Sequence, residues 1–138
     1  MRRLGSQHGS LAVEAALVAP VLLVLMLLVV YAGRAAQADA DVRVAAARAA
    51  RAASLTADAT SALETAQATA AGNLATAGVV CSQLDTAVDT DQLQAGGLVT
   101  VTVACRVDNA DLALLAVPGS RWSTSAATQV IDTYRGGG

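Results

Sequence analysis

The sequence predicts an α+β protein in which a long N-terminal helix, first membrane-crossing and then an alanine-rich stalk, precedes a small antiparallel β-meander. Three observations carry that prediction. Residues 15–32 run for eighteen positions without a formal charge, residues 34–77 are dominated by alanine and contain no proline, and Val99, Val101, Val103, Cys105 and Val107 alternate with more polar neighbours. The chain is thereby divided into a short basic leader at 1–9, a transmembrane helix at 10–33, a helical stalk at 34–78 and a small β module, expected to be disulfide-stapled, at 79–138.

The apolar run covers about 27 Å as a helix, close to the hydrocarbon thickness of a bilayer, and Gly33 with Arg34 ends it. Glu14 stands at its very start. A carboxylate within such a segment costs roughly 2.5 to 3.5 kcal/mol on insertion scales, so its presence asks for a functional reason. Pro20 removes one backbone donor inside the span and predicts a mild kink, which membrane helices tolerate. Arg34, Arg43, Arg48 and Arg51 follow the span while only Arg2 and Arg3 precede it, a count that by itself argues for the opposite orientation. A long downstream domain translocates with little regard to charge, however, and paired cysteines belong outside the cytoplasm. The reading is a single-pass protein of the cytoplasmic membrane, with its amino terminus inside and its C-terminal module outside. Two plainer readings compete: a secretory signal cut near Ala36, Gln37 and Ala38, and an uncleaved single-pass anchor.

In the stalk, alanine supplies strong helix propensity, and the first glycine is Gly72. A break is expected near Ser54, Leu55 and Thr56, whose hydroxyls compete for backbone bonds, and Gly78 is the expected terminator. Asp41, Val44, Arg48, Arg51, Leu55 and Asp58 recur at intervals of three and four. This stripe is read either as a solvated face with intrahelical contacts such as Asp39 to Arg43, or as a contact surface for neighbouring helices. Small alanines elsewhere would let such helices approach closely.

The β module contains strands expected at about 81–89, 98–107 and 121–132, with Gly96 and Gly97 turning the chain into the second and Pro118 and Gly119 into the third. Cys81 and Cys105 are the only cysteines. Outside the cytoplasm a disulfide is their expected state, worth about 3.5 kcal/mol for a loop of this size in the chain-entropy model. If the two face each other directly across a ladder, paired positions sum to 186, which sets Gln83 and Asp85 against Val103 and Val101 and turns Leu84 and Val88 to the other face. A bulge or a diagonal disulfide would repair that mismatch. The apolar stretch 112–117 is either core cover or an exposed patch for a partner or membrane surface, and 136–138 is a frayed end.

Composition removes several classes of function. Without its leader the chain keeps seven arginines against eleven acidic residues, which disfavours nucleic acid as a partner. The spacing of two cysteines fits neither a CxxC redox pair nor a zinc site. His8, the only histidine, lies in the leader, and the carboxylates are scattered without a paired base or nucleophile. No enzyme activity, cofactor, metal or small-molecule substrate is expected.

Gly9, Ser10, Leu11, Ala12, Val13 and Glu14, abutting an apolar helix, resemble the processing signature of type IV pilin-like precursors. With the block Ala15, Ala16, Leu17, Val18, Ala19 and Pro20, the valine-rich strand ending at Cys105, and the closing Asp132, Thr133, Tyr134 and Arg135, the chain resembles the TadE-like family of pilus-assembly proteins of the tight-adherence system. The resemblance implies a pilin-like fold and a minor pilin or pseudopilin. A prepilin peptidase would cut between Gly9 and Ser10, and Glu14 would meet the new amino group of an adjacent subunit. The implied partners are the membrane, the prepilin peptidase, other pilin or pseudopilin subunits and the pilus assembly machinery. The alternative from a different class is a secreted or single-pass cell-surface binding module that is not built into a pilus.

Overall fold

A computed structural model describes residues 8–109 and 119–134, with α1 at His8–Ser54, α2 at Ala59–Thr76, β1 at Gln83–Asp89, β2 at Leu98–Asp108 and β3 at Ser120–Val130. The chain divides into two compact units between Ala35 and Ala36, and α1 contributes to both. The leader up to residue 7, the apolar stretch 112–117 and the glycines 136–138 lie outside the described residues.

The first unit is the apolar part of α1, which continues through Pro20. Leu11, Val13, Leu17, Val21, Leu22, Leu23 and Met26 are all exposed, and no part of that stretch is buried by the rest of the chain. A helix apolar on every side with no protein cover is suited to lipid as its solvent. α1 is long and apolar enough to cross a membrane, which supports single-pass anchoring.

In the second unit, the last turns of α1 bury Val42, Ala45, Ala46, Ala49, Ala50 and Ala53, a stripe at alternating intervals of three and one. α2 buries Ala62, Ala66, Ala70 and Leu74, one residue per turn. The inner side of β2 adds Val99, Val101, Val103 and Cys105, and Ile131 follows β3. These side chains form one hydrophobic cluster. Each alanine removes little more than a methyl group from water, so the bulk of the packing free energy rests on the Val, Leu and Ile members, at about 0.8 kcal/mol per buried methylene.

The break falls where it is expected. Ser54 donates its hydroxyl to the carbonyl of Arg51 at 2.7 Å and Thr56 donates to that of Ala53 at 2.8 Å, capturing acceptors that a continuing helix would have used. Asp58 then caps α2, accepting from the Ser61 amide at 2.9 Å. The stripe from Asp41 to Asp58 therefore does not survive as one helical face: Leu55 and Asp58 lie beyond the end of α1. At the other end of α2, Gly78 has φ +76°, its amide bonds to the carbonyl of Ala75, and the Val79 amide bonds to that of Leu74. This is a Schellman closure, which favours a residue without Cβ at Gly78.

The three strands form an antiparallel meander in the order β1-β2-β3. Leu84 lies opposite Cys105, Thr86 opposite Val103 and Val88 opposite Val101. The register is three residues away from the one that direct Cys81 to Cys105 pairing requires. Because three is odd, the shift brings Leu84 and Val88 to the face of the buried valines and removes the mismatch. Cys81 lies before β1 and bonds diagonally to Cys105, with Cα atoms 5.4 Å apart. Gly97 allows the turn into β2, since a Cβ there would sit 2.0 Å from the carbonyl oxygen of Gln92.

The disulfide joins residues 24 apart in sequence. Replacing both cysteines by serine should lower the stability of the sheet by about 3.5 kcal/mol. Limited proteolysis of the full-length protein in detergent checks this: cleavage within 79–134 should accelerate sharply in the double variant, and an unchanged rate would contradict it.

Candidate functional site

The residues singled out at the amino terminus share the first turns of α1. Gly9 and Ser10 lie in the opening turn, where the first four amides of a helix have no intrahelical acceptor. Glu14 follows Ser10 by four residues, so the backbone of Ser10 and the carboxylate of Glu14 lie on the same side of the helix, about 6 Å apart along its axis. Glu14 is exposed, beside the exposed Leu11, Val13 and Leu17. Towards the bilayer centre its neighbours on the helix, Leu17 and Val18, are apolar. A Cβ built on Gly9 meets nothing within 4 Å, so nothing in the fold requires glycine there.

A second feature lies between α1 and α2. Asp41, Val44 and Arg48, three members of the stripe read from the sequence, line an open groove of about 310 Å³ with Gly72, Asn73, Thr76 and Ala77. Arg48 donates from Nη1 to Oδ1 of Asn73 at 2.6 Å. Asp41 accepts from Nε2 of Gln37 at 3.2 Å. The stripe is therefore part solvated face and part interhelical groove.

Sequence reasoning missed a polar tie between α1 and β3. Asp39 accepts from the Ser123 hydroxyl at 2.5 Å and from Nη1 of Arg121 at 3.1 Å. The separations of 84 and 82 residues leave no local pattern from which to find it. The hydrogen bond from Ser123 and then that from Arg121 hold the Asp39 carboxyl below its ordinary value of 3.8, against a smaller opposing effect of burial. A depressed carboxylate pKa stabilises the fold above the ordinary value, and the contribution is lost as pH falls through the folded-state value. Asp39→Asn should therefore cost up to about 1 kcal/mol at pH 7, a figure discounted because both partners are partly exposed to screening solvent. Chemical denaturation should show the gap to wild type closing below pH 3.8. A gap that widens on acidification would contradict the tie.

Among the described residues, no group of three or more His, Cys, Asp or Glu side chains is placed to hold a metal ion. What the geometry does assemble is an apolar helix carrying an acidic group near its start, followed by a small disulfide-bridged α+β unit. That combination supports a single-pass, membrane-anchored protein with a small accessory domain. The family model described as TadE-like protein matches residues 9–51, so the resemblance read from the sequence holds over that segment. The match begins on Gly9 and includes Glu14, the apolar run and the buried alanine stripe as far as Ala50. It ends at Arg51, so the valine-rich strand and the closing Asp132 to Tyr134 block lie outside it. No curated protein and no solved structure matches the chain.

Proposed function

We propose that this chain is a minor pilin or pseudopilin, held in the cytoplasmic membrane by the apolar part of α1 and matured by a prepilin peptidase that cuts between Gly9 and Ser10. The C-terminal module stands outside the membrane, and the mature chain is drawn into, or supports, a tight-adherence pilus. It acts as a structural subunit and a peptidase substrate, not as a catalyst. The observation that carries this reading is the placement of Gly9 and Glu14 at the head of a helix with no protein cover, within a segment that matches TadE-like proteins.

The physical reason runs through Glu14. A lone carboxylate in lipid is costly, whereas one met by the ammonium of another subunit is neutralised. Cutting after Gly9 creates such an ammonium at Ser10, one turn from the next Glu14, so processing and assembly would be coupled through one charge pair. Deleting the gene from a piliated strain tests the assignment. Surface pili should disappear and return with the wild-type chain, and undiminished piliation in the deletion strain would overturn the reading.

A further inference from the structure

Trp122 is the only tryptophan in a chain without phenylalanine, yet it is 46 % exposed while the core is filled with Ala and Val. Large aromatics contribute most when buried, so placing the only tryptophan on the surface of a domain short of apolar volume points to use of that surface. Its neighbours in β3 alternate as expected: Ser123 faces inward and is buried, so Trp122 lies on the outer face of the sheet. Register sets Arg106 opposite Trp122 and Gln83 opposite Arg106, so one row across all three strands reads Gln83, Arg106, Trp122.

That row is held in place. Arg106 donates from Nε to the Ser120 hydroxyl at 2.6 Å, which orients the guanidinium, and among the described residues its Nη donors are left for another partner. Gln83 donates from Nε2 to Oδ2 of Asp85 at 3.1 Å, leaving its carbonyl oxygen as an acceptor. In the next row Ala104 and Thr124 are small, so no bulky neighbour rises beside the indole on that side. Among the described residues, the outer face thus offers a half-exposed aromatic ring, a fork of donors and an amide acceptor in one row.

We propose that Trp122, Arg106 and Gln83 form a platform for a neutral hexopyranose unit of a surface polysaccharide. A pyranose ring presents axial C–H groups on one face, which stack on an indole, and hydroxyls around its rim, which need donors and acceptors at the edge of the stack. Charge selects the neutral class. Among the described strand residues, Asp85 and Asp108 lie two positions from the row on this face and Asp89 lies further along it, with Arg106 as the only cation, a balance that repels anionic polymers and anionic membrane surfaces. The proposal does not depend on incorporation into a pilus.

Because Trp122 is the sole indole, its emission reports on the site directly. The full-length protein in detergent micelles is titrated with neutral α- and β-linked glucose, mannose and galactose oligosaccharides up to about 10 mM, the range suited to a dissociation constant on the order of 1 mM. At least one should give a saturable blue shift and protect the indole from acrylamide quenching. Arg106→Ala should weaken that oligosaccharide about tenfold. Trp122→Ala, which removes a half-exposed side chain and should keep the far-UV circular dichroism of the wild type, should no longer be retained on the immobilised polysaccharide. No saturable response to any neutral oligosaccharide overturns the proposal. So does a response confined to oligouronates or to anionic vesicles, or undiminished retention of Trp122→Ala.

Discussion

Gly9→Val is expected to leave the chain at its unprocessed length in the membrane and to reduce piliation to background. The structure isolates the cause. A Cβ at residue 9 meets nothing within 4 Å, so valine neither clashes with the fold nor displaces a neighbour. Glycine is also a poor helix former, so its replacement does not weaken α1. What valine changes is the shape offered to a peptidase that must unwind the first helical turn and seat the residue before the cut. Immunoblotting against the C-terminal module should show one band, nine residues longer than the mature chain, and intact α1 helicity by circular dichroism. Normal processing of Gly9→Val would contradict the assignment of the cut site.

Glu14→Gln separates cutting from assembly. The substitution removes the insertion cost of a carboxylate in lipid, so membrane abundance should be equal or higher and cleavage after Gly9 should persist. Assembly should suffer, because the ammonium on Ser10 of the adjoining subunit would enter the apolar interior unpaired. Breaking a buried pair by removing one partner costs about 3 kcal/mol, which is on the order of a hundredfold in the assembly equilibrium. Counting filaments by electron microscopy while quantifying the processed chain measures both effects on one strain. Filaments at wild-type number from fully processed Glu14→Gln would remove the charge pair from the account.

The elements of this fold were legible wherever the signal was local. Alternating valines gave β2, alanine and the absence of proline gave the helices, and the hydroxyls of Ser54 and Thr56 with Gly78 gave their ends. What depended on distant partners was not legible. The register of β1 against β2 followed from sequence only if the disulfide was assumed to pair opposite residues, and Cys81 instead lies outside the strand, so the ladder is offset by three. The stripe from Asp41 to Asp58 kept helical spacing across a break, because spacing alone does not record that Asp58 caps a second helix. The tie of Asp39 to Ser123 and Arg121 joins residues more than 80 positions apart, and no periodicity announces such a contact.

The candidate site divides in the same way. The proposed roles of Gly9, Ser10 and Glu14 rest on spacing within one helix, which a sequence displays without any tertiary contact. Trp122, Arg106 and Gln83 became a row only when the sheet register was known, since they come from three strands and share no motif.

The claim on which the account rests is that the mature chain begins at Ser10 with Glu14 one turn behind a free amino group. N-terminal sequencing of the protein purified from its native membrane tests it most directly. The account predicts Ser-Leu-Ala-Val-Glu as the first five residues. A sequence beginning at Met1, or one beginning after Ala38, would contradict it.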